Sequence, residues 1–306
     1  LCGLSYDSSP AGEAVRATNE STLIPIMKNL FLALLLSLST VFAQAAEAPQ
    51  RVVSLGGPLT EIVYALGAGN RLVGADISSL YPAETAKLPK VGYYRAFSVE
   101  GVAALNPDLV LATDQAGPPQ AIEQLRRLGK RVIVLPGAPT LDALEQRIQG
   151  VSAALGLRSD GSVMAAQIRG EVEQLRRTPS GAMRVLLVSN HTGKLEGAGR
   201  DTAADAMLKL AGAKNVLAAQ KGYKPLSAEA SLALAPAAIV TTNMSIQAAG
   251  GLSQFLAMPG IAATPAAKNK RVIVMDDLLL LGFGPRLPEA LRVLKGGLVG
   301  VTMASR

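Results

Sequence analysis

The chain has 306 residues, of which 49% are hydrophobic and 17% charged. That is enough to bury one large or two medium cores, and too apolar for a disordered chain. One histidine cannot build a two- or three-histidine metal centre, and the only cysteine, Cys2, lies near the N-terminus. The net charge of +7 comes with no basic run and no basic–aromatic stripe, which sets nucleic acid aside.

Residues 1–26 carry neither a signal nor a domain pattern and read as a non-native or mis-annotated extension. Met27 opens a secretory signal peptide over 27–45: Lys28 is the basic start, Leu30 to Phe42 the apolar core, and Ala43-Gln44-Ala45 the small residues of a cleavage site. The apolar run is shorter than the roughly 20 residues that span a bilayer. No cysteine follows it to carry a lipid. A chain starting at Ala46 would hold 28 basic and 20 acidic residues and no cysteine, which suits export without disulfides. Its basic surface would attract an acidic ligand.

From Arg51 short apolar runs alternate with helical stretches. Val52–Leu55, Leu109–Leu111 and Arg131–Leu135 read as buried strands, with helices near Thr60–Leu66, Ser98–Leu105 and Gln120–Leu128. The alternation predicts a parallel sheet covered on both faces. The pattern restarts with strands at Arg184–Val188, Ala237–Val240 and Arg271–Val274. FSVEGVAALNPDLVLATD (97–114) aligns without gaps to LSAEASLALAPAAIVTTN (226–243), matching Ser98 with Ser227, Glu100 with Glu229 and Thr113 with Thr242. EIVYALGAGN (61–70) resembles DAMLKLAGAKN (205–215) in the same order. The expected fold is therefore α/β, with two related Rossmann-like lobes at 50–157 and 181–306.

Between the lobes Thr140 caps a helix with Leu144, Ile148, Val151 and Leu155 on one face, ended by Gly156 and a Ser159-Asp160-Gly161 turn. Met164, Ile168, Val172 and Leu175 mark a second helix, stopped by Pro179, so 158–180 is expected to be a rigid interdomain helix. Such a link limits lobe motion.

No G-x-S-x-G elbow or phosphate-binding P-loop occurs, and Gly197-Ala198-Gly199, ahead of a helix, reads as a tight turn sooner than as an anion loop. The segment LPKVGYYRAFSVEG (88–101) is different. It places Tyr93, Tyr94 and Arg95 on a loop at a strand-to-helix end, where α/β sheets hold ligands. A guanidinium favours phenolate, a hard oxygen donor suited to ferric iron. If the loop is extended, Tyr93 and Arg95 point the same way. The residues alone favour, by a little, two surface or packing tyrosines.

RVVSLGGPLTEIVYALGAGNRLVGAD, the VGYYR segment, GAGRDTAADAMLKLAGAKNV, GYKPLSAEASLALAP and the LGFGPR ending resemble the periplasmic haem-binding proteins of bacterial haem ABC importers. These are class III substrate-binding proteins with a helical backbone. The resemblance covers nearly all of the chain after the signal. It implies a periplasmic protein that carries ferric haem as transported ligand, with no catalytic cofactor. Its partners would be an ABC permease dimer with its ATPase, and an outer-membrane haem receptor system upstream. The family's iron-ligating tyrosine falls on Tyr93 and its supporting arginine on Arg95, with Tyr94 in the variable place between. His191 and Tyr223, from the second lobe, are further cleft or second-ligand candidates. Paired acids that dock on permease arginines fall on Glu61 and Asp205; Arg286 is left unassigned. The same class binding cobalamin or a ferric siderophore is the nearest alternative. A periplasmic enzyme, such as a chelatase or hydrolase, and a scaffold or sensor partner are the others.

Overall fold

The structure, a computed structural model, describes residues 3, 48–178, 182–190 and 194–303. The expected signal peptide (27–45) lies outside the described residues, as does the extension (1–26) apart from Gly3, and the architecture below is that of the unit Ala48–Arg306. Among the described residues no helix is long and apolar enough to cross a membrane.

The first lobe runs β1 (Val52–Leu55), α1 (Gly57–Ala65), β2 (Leu72–Ala75), β3 (Gly92–Tyr93), β4 (Ala96–Phe97), α2 (Val99–Ala104), β5 (Leu109–Thr113), α3 (Pro119–Arg127), β6 (Val132–Leu135) and α4 (Leu141–Leu155). Helix α5 (Arg158–Arg177) leads on. The second lobe runs β7 (Arg184–Ser189), β8 (Glu196–Ala198), α6 (Ala203–Leu210), β9 (Lys214–Asn215), β10 (Tyr223–Pro225), α7 (Ala228–Leu234), β11 (Ala238–Thr242), α8 (Asn243–Ala248), α9 (Leu252–Ala257), α10 (Pro265–Lys268), β12 (Val272–Met275) and α11 (Asp277–Leu281), followed by α12 (Leu287–Met303).

The first sheet is parallel, in the order β2-β1-β5-β6. In the second, β9, β7, β11 and β12 repeat that parallel arrangement, while β8 and β10 add an antiparallel edge. Strands β1, β5 and β11 are buried at every position, and their mostly apolar sequences follow from burial on both faces. The internal alignment holds residue by residue. Ser98 and Ser227 each cap their helix by accepting a backbone N–H three residues on. Strands β5 and β11 then start and end at aligned positions. The aligned residues Asn106 and Ala235 both take left-handed φ angles, 44° and 42°. Asparagine tolerates that conformation; alanine does so at a cost of roughly 1–2 kcal/mol, which the repeat imposes on the second lobe.

Helices α4 and α5 bind the halves together. Thr140 caps α4, and Gly156, at φ 77°, ends it in the left-handed turn only glycine adopts freely. The expected Ser159-Asp160-Gly161 turn is instead the first turn of α5, because the chain re-enters helix at Arg158. Gly161 is required there: a Cβ would lie 2.0 Å from the Ser152 hydroxyl on α4. The 20 residues of α5 extend about 30 Å. Arg169 on α5 pairs with Asp142 (2.6 Å) and Glu145 on α4, and Arg292 on α12 pairs with Glu171 on α5. One apolar core runs through both lobes, from Leu59 and Ile62 through Ile148 and Val172 to Leu208 and Leu291. Continuous close packing across a junction resists hinge bending, since interiors pack as densely as crystals.

Candidate ligand-binding site

The carboxyl ends of the parallel strands carry the polar and aromatic groups that the sequence singled out. After β2 the chain makes a loop and then the hairpin β3–β4, in which Tyr93 pairs with Ala96 and Tyr94-Arg95 form the turn. This corrects the expectation of an extended loop. In a two-residue hairpin turn Tyr93 and Arg95 are not co-facing neighbours, and the guanidinium turns to Tyr94 instead. Arg95 Cζ lies 5.2 Å from the Tyr94 ring centroid, and its Nη2 donates to Gln115 Oε1 at 2.6 Å. Gln115 in turn donates to the Gly137 carbonyl at 3.2 Å. Tyr93 and Tyr94 meet edge to face, 4.7 Å between centroids.

The two tyrosines differ in exposure. Tyr93 keeps 40% of its surface open, whereas Tyr94 is half-buried. Burial pushes the Tyr94 hydroxyl up to about 12, with Arg95 pulling against it and Tyr93 adding to it. Tyr223 stands on β10, opposite Ala198 of β8. It keeps 37% of its surface, yet it stands deep enough between surrounding groups that burial, then Glu196, raise its hydroxyl to about 12. Arg95 opposes that rise. The second lobe's tyrosine is thus within electrostatic reach of the first lobe's hairpin. His191 lies outside the described residues. Gly197 and Ala198 belong to β8, and the Gly199 N–H donates to the Gly222 carbonyl at 2.9 Å, so that glycine cluster is strand rather than the expected tight turn or an anion loop.

The docking assignment to Glu61 and Asp205 is corrected by burial. Glu61 is 4% exposed and sits mid-helix in α1, not in its first turn. Its carboxylate accepts from Arg286 Nε at 3.2 Å and from Nη2. Asp205 is 1% exposed; it accepts from Asn215 Nδ2 at 2.9 Å and pairs with Lys209 at 2.7 Å. Neither can present a carboxylate to another protein without unpacking its own lobe. Arg286, unassigned from sequence, closes a link between α1 and the segment before α12, lying 3.6 Å above the Tyr81 ring.

Two features escaped sequence reasoning. Asp76, at the end of β2, is a buried carboxylate holding several donors, and nothing in its local sequence signals that role. The other is the aligned pair Glu100 and Glu229, both exposed in the first turn of repeat-equivalent helices. The repeat itself contained that signal; exposure separates this pair from Glu61 and Asp205. The Glu229 carboxyl is held below its ordinary range by its own backbone N–H and by Ser227.

Two α/β lobes on a helical spine, with the Tyr93-Tyr94-Arg95 hairpin on the first and Tyr223 on the second, are the architecture of a ligand-binding protein. Residues 52–279 match the periplasmic binding protein family, and the chain belongs to it. Its members bind substrates for transport. The periplasmic heme-binding protein RhuT from Roseiflexus sp. RS-1, solved in apo form, superposes with a TM-score of 0.79 at 39% identity, covering 82% of this chain and 98% of that one. The periplasmic heme-binding protein BhuT, solved with two hemes, gives 0.77 at 42% identity, covering 82% and 98%. Among curated relatives, an uncharacterized ABC transporter substrate-binding lipoprotein, YvrC of Bacillus subtilis (strain 168), is 30% identical over 80% of this chain and 79% of its own length. A vitamin B12-binding protein of Pectobacterium carotovorum subsp. carotovorum (strain PC1) is 30% identical over 55% of this chain and 62% of its own.

Proposed function

We infer that this protein is exported to the periplasm by a cleaved signal peptide, binds ferric haem between its lobes without turning it over, and hands it to an ABC importer. The observation that carries the reading is the hairpin tip Tyr93-Tyr94-Arg95, two phenols beside a guanidinium whose charge reaches Tyr223 of the second lobe. Tyr93, the more open phenol, is the iron ligand, and phenolate oxygen suits ferric iron. Arg95 supplies positive charge beside the phenols, and Tyr94 packs behind. Tyr223 and His191 remain the second-lobe candidates for the other face. The two heme-binding structures at 39% and 42% identity support haem. The vitamin B12-binding relative favours cobalamin as a second reading, and cobalamin needs no tyrosinate.

Titration with ferric haem, followed by absorption, separates the two. The wild type should shift the haem band and develop a tyrosinate charge-transfer band; Tyr93→Ala should lose that band and bind about tenfold more weakly or worse. A wild type that leaves the haem spectrum unchanged, or a variant that binds as the wild type does, overturns the reading.

Delivery is assigned to Glu100 and Glu229, one exposed carboxylate per lobe at matching places, suited to paired arginines on a two-fold permease. Because the shared core resists hinge bending, release falls to the permease prising the lobes apart. Glu100→Arg with Glu229→Arg should leave haem binding intact and abolish stimulation of the transporter's ATPase in liposomes. Full stimulation by the doubly reversed protein would refute the docking assignment.

A further inference from the structure

We propose that Asp76 is the positioning residue that sets the angle at which Tyr93, Tyr94 and Arg95 meet the ligand. The proposal rests on the haem reading for its ligand, but its structural basis is independent of it. Asp76 is 0% exposed and lies at the carboxyl end of β2. A buried carboxylate is costly unless donors surround it. Here five do. Oδ1 accepts from the Gly56 N–H at 3.0 Å and the Ser79 hydroxyl at 2.9 Å. Oδ2 accepts from the Ser78 N–H at 3.0 Å, the Ser78 hydroxyl at 2.6 Å and the Tyr94 N–H at 3.2 Å. The Ser79 hydroxyl continues to Thr60 Oγ1 at 2.7 Å, itself 2.9 Å from Ser54 Oγ. One carboxylate thereby joins the end of β1, helix α1, the loop after β2 and the tyrosine hairpin.

The hairpin needs this anchor. Its strands are two residues each, and an isolated two-stranded hairpin is marginal in water. Its central turn residue is held at both backbone groups: the Tyr94 N–H by Asp76, and the Tyr94 carbonyl by the Gly117 N–H at 3.0 Å. The presentation of the two phenols is therefore dictated by the sheet rather than by the hairpin itself. Both oxygens of Asp76 face donors only. An asparagine would turn its NH2 either on the Gly56–Ser79 pair or on the Ser78–Tyr94 group, so the amide cannot replace the carboxylate.

Amide hydrogen exchange on the ligand-free protein tests the anchor, and the ferric haem spectrum tests its consequence. In Asp76→Asn the Tyr94 amide should exchange about tenfold faster or more, the loss expected of one charge-assisted hydrogen bond, while β11 in the other lobe stays protected. Bound haem should lose part of the tyrosinate band although the Tyr93 side chain is intact, which a general loss of stability would not produce. Wild-type exchange and an unchanged spectrum in Asp76→Asn would overturn the proposal. Should that variant not fold, the wild type alone decides: Tyr94 must be protected as Gly56 and Ser78 are, and free exchange at Tyr94 refutes the anchor. A wild type that binds no haem but shows this exchange pattern removes the haem reading and leaves the anchor standing.

Discussion

Glu61→Ala is expected to cost about 3–5 kcal/mol of stability, because it strips a largely buried guanidinium of its main acceptor. Arg286 then keeps Asp276 at 4.0 Å and the Tyr81 face, neither of which replaces the two-nitrogen contact to Glu61. Urea unfolding measures the loss. A cost under about 1 kcal/mol would show that the pair contributes little beyond packing.

The same carboxyl sets a pH dependence. Burial pushes Glu61 up to about 7 from 4.5; Arg286 offsets this in part, while Asp276 and Glu289 add to it. Three carboxylates share one guanidinium. Between those values the folded protein keeps a proton that the unfolded chain has released, so stability is full below about 4.5 and is lost as pH rises through about 7. The loss amounts to about 3 kcal/mol. Glu61→Gln, which keeps the acceptor but cannot ionise, should gain on the wild type by that amount between about pH 5 and about pH 8. Parallel stability curves for the two proteins would mean that Glu61 is ionised throughout.

Arg147→Met should lose about 3 kcal/mol, the value of breaking charge-assisted bonds to three carbonyls less the relief of a buried charge. Arg147 is 2% exposed and has no carboxylate in salt-bridge range among the described residues. Its guanidinium donates to Pro136 O at 2.7 Å, Ala138 O at 3.2 Å and Phe283 O at 2.6 Å. Burial lowers its pKa to about 10, so it stays charged near neutrality, although its Nε finds no partner. The Phe283 bond joins α4 to the segment between α11 and α12, where Phe283 itself takes a left-handed φ of 50°. Arg147→Lys can reach one carbonyl and should recover part of the loss in the same unfolding experiment. A methionine variant as stable as the wild type would show that the desolvation cost cancels all three bonds.

Sequence by itself determined the lobes, their repeat and the spine. Apolar runs such as Val185–Val188, the caps Thr140, Ser98 and Ser227, and Gly156 act through local propensity and spacing, which a linear pattern records. It also placed the VGYYR segment on a loop at a strand end, but not as the hairpin it forms. Only the tertiary structure decided which acids are free: Glu61 and Glu100 look alike in sequence, but α1 packs Glu61 against Arg286, 225 residues away, while α2 leaves Glu100 in solvent. The orientation of Arg95 toward Tyr94, and the five donors converging on Asp76 from Gly56, Ser78, Ser79 and Tyr94, likewise arise from segments that meet only on folding. Periodicity encodes which face of an element is buried; it does not encode what that face will touch.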